Sequence, residues 1–321
     1  MDGPKGGAYR AVALSVLRLD TIGGFDIYIK EPKGGAYVLY CTKDLPFTGE
    51  RRDRLVESGT KEIHIHGRDD SAFKRYVEAN LGAILDDPDV VPEEKAELLY
   101  GSLVGVVEDV MHDPRAGDVV PRSKSIVENT CKFLYDQGGS LEFMMRVCSF
   151  DYYTYTHSVN VFVFAMALGQ RVLPKDVVGG EYGVGALMHD IGKSRVPESI
   201  LNCHGKLTSA QFAKMKMHPV YGYDLLKKQG EAGPMTLDMV RHHHERIGGG
   251  GYPDNLSGDQ ISKEVRCLTI ADIFDALTTR RSYKAPIDSF PALQMMREEM
   301  FAHLDPDLFR VFVEIMGNRS K

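Results

Sequence analysis

The sequence predicts an α+β N-terminal domain followed by an all-α helical-bundle domain. Three observations carry this. The first third holds short segments that alternate apolar and polar residues, as strands with one buried face do. A stretch punctuated by Pro and Gly, Asp113-Pro114-Arg115-Ala116-Gly117-Asp118, then interrupts the chain. Beyond it, apolar residues recur at helical spacing and strand-like patterning becomes sparse. The expected division is a small α+β domain with a helical extension over residues 1–112, a linker over 113–121, and a helical domain over 122–321.

Each element follows from its local pattern. Residues 12–17 form an apolar, strand-like run. Residues 25–30 alternate, and after a turn at Pro32-Lys33-Gly34-Gly35 the segment 36–40 completes an expected hairpin. Residues 63–66 alternate again. Asp70 is placed to cap a helix from Ser71, with Phe73, Tyr76 and Val77 on one side. A helix over 93–111 follows. In the second domain, Ile126, Cys131, Phe133 and Leu134, then Leu141, Met144, Met145 and Val147, mark amphipathic helices. Residues 157–168 make a strongly apolar helix, and a helix ends at Asp190-Ile191-Gly192-Lys193. Thr208 caps a helix over 209–217. Residues 265–277 form a buried helix with Asp272 and Asp275 on one face, and 309–316 close the bundle.

Composition narrows the function classes. A net charge of −6 over 321 residues argues against a nucleic-acid polymer as partner. The longest apolar stretch, 159–168, is too short to span a bilayer, and the N-terminus lacks the basic-then-apolar pattern of a signal peptide. Cys41, Cys131, Cys148, Cys203 and Cys267 are odd in number and have no paired spacing, as free thiols in a reducing compartment do. A cytoplasmic protein without membrane attachment is expected.

Five of the eleven histidines fall in an ordered series with carboxylates: His157, His189-Asp190, His218-Pro219, His243-His244-Glu245, and Asp272 with Asp275. Imidazole and carboxylate are the usual ligands of divalent first-row metals, and this series holds enough of them for two ions. Adjacent His189 and Asp190 can reach one ion from one turn, whereas the others arrive from separate segments. His242 extends a run of three, but neighbours on a helix diverge by about 100°, so the three cannot all face one site. His204 and His303 match no motif. His64 and His66 share one face of a strand, and with no third ligand nearby a solvated face outranks a metal site.

The order and spacing from residue 151 to 310 resemble the HD-GYP family of metal-dependent phosphodiesterases, which hydrolyse the bacterial second messenger cyclic di-GMP. The resemblance rests on His157-Ser158-Val159-Asn160, His189-Asp190-Ile191-Gly192-Lys193, Gly205-Lys206-Leu207-Thr208 and His218-Pro219 with Gly222. It continues through His243-His244-Glu245-Arg246, Gly251-Tyr252-Pro253, Ala271-Asp272 and Asp275-Ala276-Leu277-Thr278, with Arg281 and Tyr283 beyond. It implies an HD-type bundle in which Asp190 bridges two ions. His157, His189 and Asp272 would complete one site, and His218, His243 and His244 the other. It favours iron, while the N/O ligand set also suits manganese or zinc. Two ions about 3.5–4 Å apart supply a bridging hydroxide as nucleophile and neutralise charge on phosphorus. Lys193 would stabilise phosphate or protonate the leaving oxygen, its structural alternative being a salt bridge to Asp190. Arg281 and Lys284 match positions that grip substrate phosphate, and Gly251 and Tyr252 lie in a loop that positions base or phosphate.

Three positions depart from the family pattern. Some members carry a Glu four residues before the first His, which recruits a third metal; here Tyr153 stands there. Gly248 replaces an acidic residue, and Ser282 a common Pro. With two ions, linear pGpG is the expected product of cyclic di-GMP. A second reading keeps the metal centre in a sensor or adaptor of little turnover that binds nucleotide or partner proteins. A third, an HD phosphohydrolase for another nucleotide, is disfavoured by Gly251-Tyr252-Pro253 and His243-His244. The N-terminal domain would be regulatory or dimerising, with a homodimer and signalling proteins among the partners the resemblance allows.

Overall fold

The structure is a computed structural model that describes residues 9–31, 35–136, 140–148, 154–203, 205–279 and 287–317. Contacts divide the chain into two compact units, Met1–Ser102 and Leu103–Lys321.

The first unit is a four-stranded antiparallel sheet of order β1-β4-β2-β3, with β1 Tyr9–Ala13, β2 Ile27–Lys30, β3 Tyr37–Cys41 and β4 Glu62–His66. The expected hairpin is β2–β3, paired from Lys30↔Tyr37 to Ile27↔Cys41. One face of the sheet buries Val12, Ile27, Ile63 and Ile65. The first unit's helices are α1 Gly49–Glu57, α2 Asp70–Asp86 and the start of α3 Pro92–His112. Phe73, Tyr76 and Val77 of α2 are buried, as their spacing requires.

Two local expectations shift. The apolar run at 12–17 is not one strand: β1 ends at Ala13 and a tight turn, Leu14–Val16, follows, with Leu14, Val16 and Leu17 in the core. A continuous apolar run reports burial and does not fix the period. Asp70 is the first residue of α2; Asp69 precedes it and makes no capping hydrogen bond, so the acidic charge favours the helix start by its field alone. His64 and His66 are half-buried against aromatic rings, His64 edge-on to Tyr37 and His66 to Tyr9.

The second unit is helical. Its elements run α4 Val119–Asp136, α5 Ser140–Val147, α6 Thr154–Val172, α7 Lys175–Val177, α8 Gly183–Met188, α9 Glu198–Leu201, α10 Ser209–Met215, α11 His218–Gln229, α12 Pro234–His242, α13 Lys263–Thr278, α14 Ser289–Glu299 and α15 Pro306–Gly317. Helix α4 begins at Val119, inside the stretch expected as linker. Every residue from His157 to Gly169 in α6 is buried, so this helix is the axis of the unit. Helix α13 packs along it and is buried nearly all round. Thr208 caps α10 in a reciprocal pair with Gln211, as its sequence predicts, although the helix closes at Met215.

Candidate metal centre

Five segments converge on one buried point. His157 lies in the first turns of α6. His189 and Asp190 follow the end of α8, where the chain tightens into the turn Ile191–Arg195. His218 opens α11, His243 and His244 follow the end of α12, and Asp272 sits midway along α13. Gly192 makes the convergence sterically feasible. A Cβ there would lie 1.9 Å from the carbonyl oxygen of His218 and 2.4 Å from the amide of Gly222, so the turn after Asp190 lies directly on the backbone of α11.

All seven residues anticipated as ligands come together. His157, His189, Asp190, His218 and His243 are at most 1% exposed and Asp272 is 8% exposed, while His244 is half-buried. Their donor atoms form overlapping groups able to hold an ion: His157, His189 and Asp272; His218, His243 and His244; and His189, Asp190 and His243. Asp190 spans them. Its Oδ2 lies 3.4 Å from Nε2 of both His157 and His189, and its Oδ1 lies 3.1 Å from His218 Nε2 and 3.8 Å from His243 Nε2. Asp272 Oδ1 is 3.2 Å from His157 Nε2, and its Oδ2 is 3.8 Å from His244 Nδ1.

The hydrogen bonds around the ring fix which nitrogens face inward. Nδ1 of His189, His218 and His243 each donate to a carbonyl three residues earlier, of Ala186, Met215 and Val240, at 2.8–3.0 Å. A carbonyl only accepts, so each Nδ1 carries the proton and a neutral ring turns its Nε2 lone pair to the centre. His218 Nε2 and His243 Nε2 then stand 3.2 Å apart, and the buried His189 Nε2 and Asp190 Oδ1 have no hydrogen-bond partner among the described residues. Lone pairs at this spacing repel unless a cation lies among them. The residues therefore fit a metal.

Electrostatics agree with neutral imidazoles around ionised carboxylates. Burial and the neighbouring His244 push His243 well below its usual range, and burial lowers His244 as well. Burial alone would raise Asp190, but the Lys193 ammonium and His189 hold it well below the usual carboxylate range. Burial opposes ionisation of Asp272 too, and the His157 hydrogen bond together with the charges of His244, His157 and His189 outweighs it. Lys193 Nζ donates to Asp190 Oδ2 at 2.5 Å, the salt bridge named as its structural alternative, and this places an ammonium at the rim of the centre.

Residues outside the ligand set hold it in place. Asp275, one turn beyond Asp272, accepts from His157 Nδ1 at 2.6 Å, and its other oxygen accepts from Asn160 and Thr279 at 2.9 Å each. Its shared face with Asp272 was visible in the sequence; its pairing with α6 was not. Glu245 is 1% exposed and accepts the backbone N–H groups of Asp254 and Leu256 at 2.7 and 3.0 Å. A Cβ on Gly251 would lie 2.6 Å from Glu245, so Gly251 lets the loop lie on this carboxylate. The loop thus sets Tyr252 beside His244, with ring centroids 4.7 Å apart. His242 turns away, to Asp238 and Asp254 at 2.6 and 2.9 Å, as its helical angle requires. Arg281, Lys284, Tyr283, Ser282, Tyr153 and His204 lie outside the described residues.

Comparison with known proteins finds relatives over most of the chain. The HD domain family model matches residues 126–308. Cyclic di-GMP phosphodiesterase PA4108 of Pseudomonas aeruginosa is 32% identical over 300 residues, covering 89% of this chain and 70% of that protein. The 3'3'-cGAMP-specific phosphodiesterase 3 of Vibrio cholerae is 36% identical over 157 residues, which cover 49% of this chain and 34% of its own length. Among solved structures, Bd1817, an HDG"Y"P protein from Bdellovibrio bacteriovorus, shares the fold with a TM-score of 0.68 at 20% identity, over 97% of this chain and 100% of that one. The chain belongs to the HD domain family, in its HD-GYP branch.

Proposed function

We propose that this chain is a cyclic di-GMP phosphodiesterase working with two divalent transition-metal ions, iron favoured over manganese or zinc. The observation that carries it is the division of Asp190, whose two oxygens face two different sets of imidazoles. His157, His189 and Asp272 would hold one ion, His218, His243 and His244 the other, and Asp190 would contribute to both. When bound, the ions supply an activated water and neutralise the charge that builds on phosphorus. Lys193 then has an ammonium within reach of the leaving oxygen and delivers a proton there. Tyr252 and the glycine loop, seated on Glu245, form one wall for the nucleotide, while Arg281 and Lys284 grip phosphate. The names of relatives support the substrate class: PA4108 is named for cyclic di-GMP and the Vibrio cholerae protein for 3'3'-cGAMP. Turnover of cyclic di-GMP by metal-reconstituted protein, followed by chromatography, is the test. Linear pGpG is expected to accumulate, because Tyr153 stands where a carboxylate could recruit a third ion and help retain the more highly charged linear product. Rapid conversion to GMP would overturn the two-ion product assignment, and binding without turnover would favour the sensor reading.

A further inference from the structure

A cyclic dinucleotide carries two phosphodiesters on opposite sides of its ring, and a single metal centre engages one of them. The other remains an anion some distance out, flanked by two purines. Just beyond the metal ligands the structure offers a cation and an open aromatic face. The Tyr252 ring lies 4.7 Å from that of His244, and the Lys216 ammonium lies over the Tyr252 ring, 5.6 Å from its centroid. Phe212, four residues before Lys216, is the second ring under the same ammonium, at 5.4 Å. Phe212 remains 49% exposed and neighbouring Met217 39% exposed. Lys193 Nζ sits against Asp190 at the centre itself, whereas Lys216 has no carboxylate partner among the described residues.

We propose that Lys216 and Phe212 form a second subsite of the nucleotide site, with Lys216 holding the phosphodiester that is not cleaved and Phe212 stacking a purine beside it. This rests on the cyclic dinucleotide reading above and deepens it. The two cation–π contacts hold an otherwise flexible side chain with its charge at the mouth of the site. Aromatic faces accept purines without regard to sequence, and an ammonium with no counter-ion is the complement of a phosphate. The alternative is a half-buried lysine packed on the ring one helical turn before it, which would serve no substrate.

The experiment compares metal-loaded full-length protein with its Lys216→Ala, Lys216→Arg and Phe212→Ala variants on two substrates. Cyclic di-GMP has the second phosphodiester, and bis(4-nitrophenyl) phosphate lacks it. Loss of one charge-assisted contact should raise KM for cyclic di-GMP in Lys216→Ala about tenfold beyond any change on the aryl diester. Lys216→Arg should regain most of that loss, and Phe212→Ala should show the same selectivity. Equal effects on both substrates, or none on either, overturn the subsite while the wild type's turnover of cyclic di-GMP leaves the functional reading standing. A wild type that cleaves only the aryl diester overturns the substrate class and the subsite with it. If the wild type turns over neither, calorimetric affinity for cyclic di-GMP decides: a selective loss in Lys216→Ala supports the subsite, and absence of wild-type binding overturns both.

Discussion

Asp190 is the residue on which the two halves of the centre depend. One oxygen faces His157 and His189, the other His218 and His243, so removing the carboxylate takes a ligand from both sides. Asp190→Ala is expected to lose both ions and His157→Ala mainly one; metal analysis after anaerobic reconstitution measures this, and equal losses would contradict the assignment. Asp275 bonds His157 and would act through it on a metal. Its Oδ2 accepts the Nδ1 proton, which leaves Nε2 free to ligate. An amide in its place cannot satisfy His157, Asn160 and Thr279 together, because its nitrogen must face one donor. Asp275→Asn should therefore weaken metal affinity by about 10–100-fold while the far-UV spectrum stays unchanged. Undiminished affinity in a competition titration would show that packing alone orients His157.

At the scale of elements, the glycine loop is a clamp built from charges. Arg241 holds Asp254 through two hydrogen bonds, at 2.7 and 2.9 Å, and His242 adds a third at 2.9 Å. The Arg241 hydrogen bonds are the main cause that lowers the Asp254 carboxyl to about 2. A depressed carboxyl contributes stability that is present above its ordinary value, near 3.8, and is lost as the pH falls through about 2. Because the side chain is 37% exposed, solvent screens the effect to about 0.5–1 kcal/mol. Asp254→Asn should be less stable by that amount near pH 6, with the gap narrowing as the pH falls from 4 towards 2. Urea titrations across that range measure it, and a constant gap would rule out the ion pair as cause. The sequence displayed the His and Asp residues that cluster because each sits in a local motif, and it displayed α6 and α13 because their apolar runs are long. The partners of Glu245 and Asp275 were hidden for a different reason. Glu245 reads as one more residue after two histidines, and its role appears only when the loop folds back to bring the amides of Asp254 and Leu256 onto it. Likewise the sheet order β1-β4-β2-β3 depends on long-range pairing that alternation cannot encode.

Across the whole molecule, the ligand set joins five parts of the helical unit: the start of α6, the turn after α8, the start of α11, the end of α12 and the middle of α13. Without a cation, the buried carboxylates and inward lone pairs oppose the packing of those segments. Bound metal would tie the segments together through their common ligands, and the native state alone presents the assembled site. Any ligand of that kind stabilises by mass action, about 2.7 kcal/mol at a free concentration a hundred times Kd. For a domain of roughly 150–250 residues each kcal/mol moves Tm by about 2–4 °C. Chelation should therefore lower the melting temperature of the helical unit by about 5–10 °C, and restoring metal should return it. Asp190→Ala should melt at the chelated temperature whether or not metal is present, because on the proposed assignment both ions would need its carboxylate. Calorimetry with and without chelator is the measurement. A wild type whose Tm ignores chelation, after metal analysis has verified removal, would mean that the five segments hold their places by packing alone and that the metal is a guest in a site already rigid.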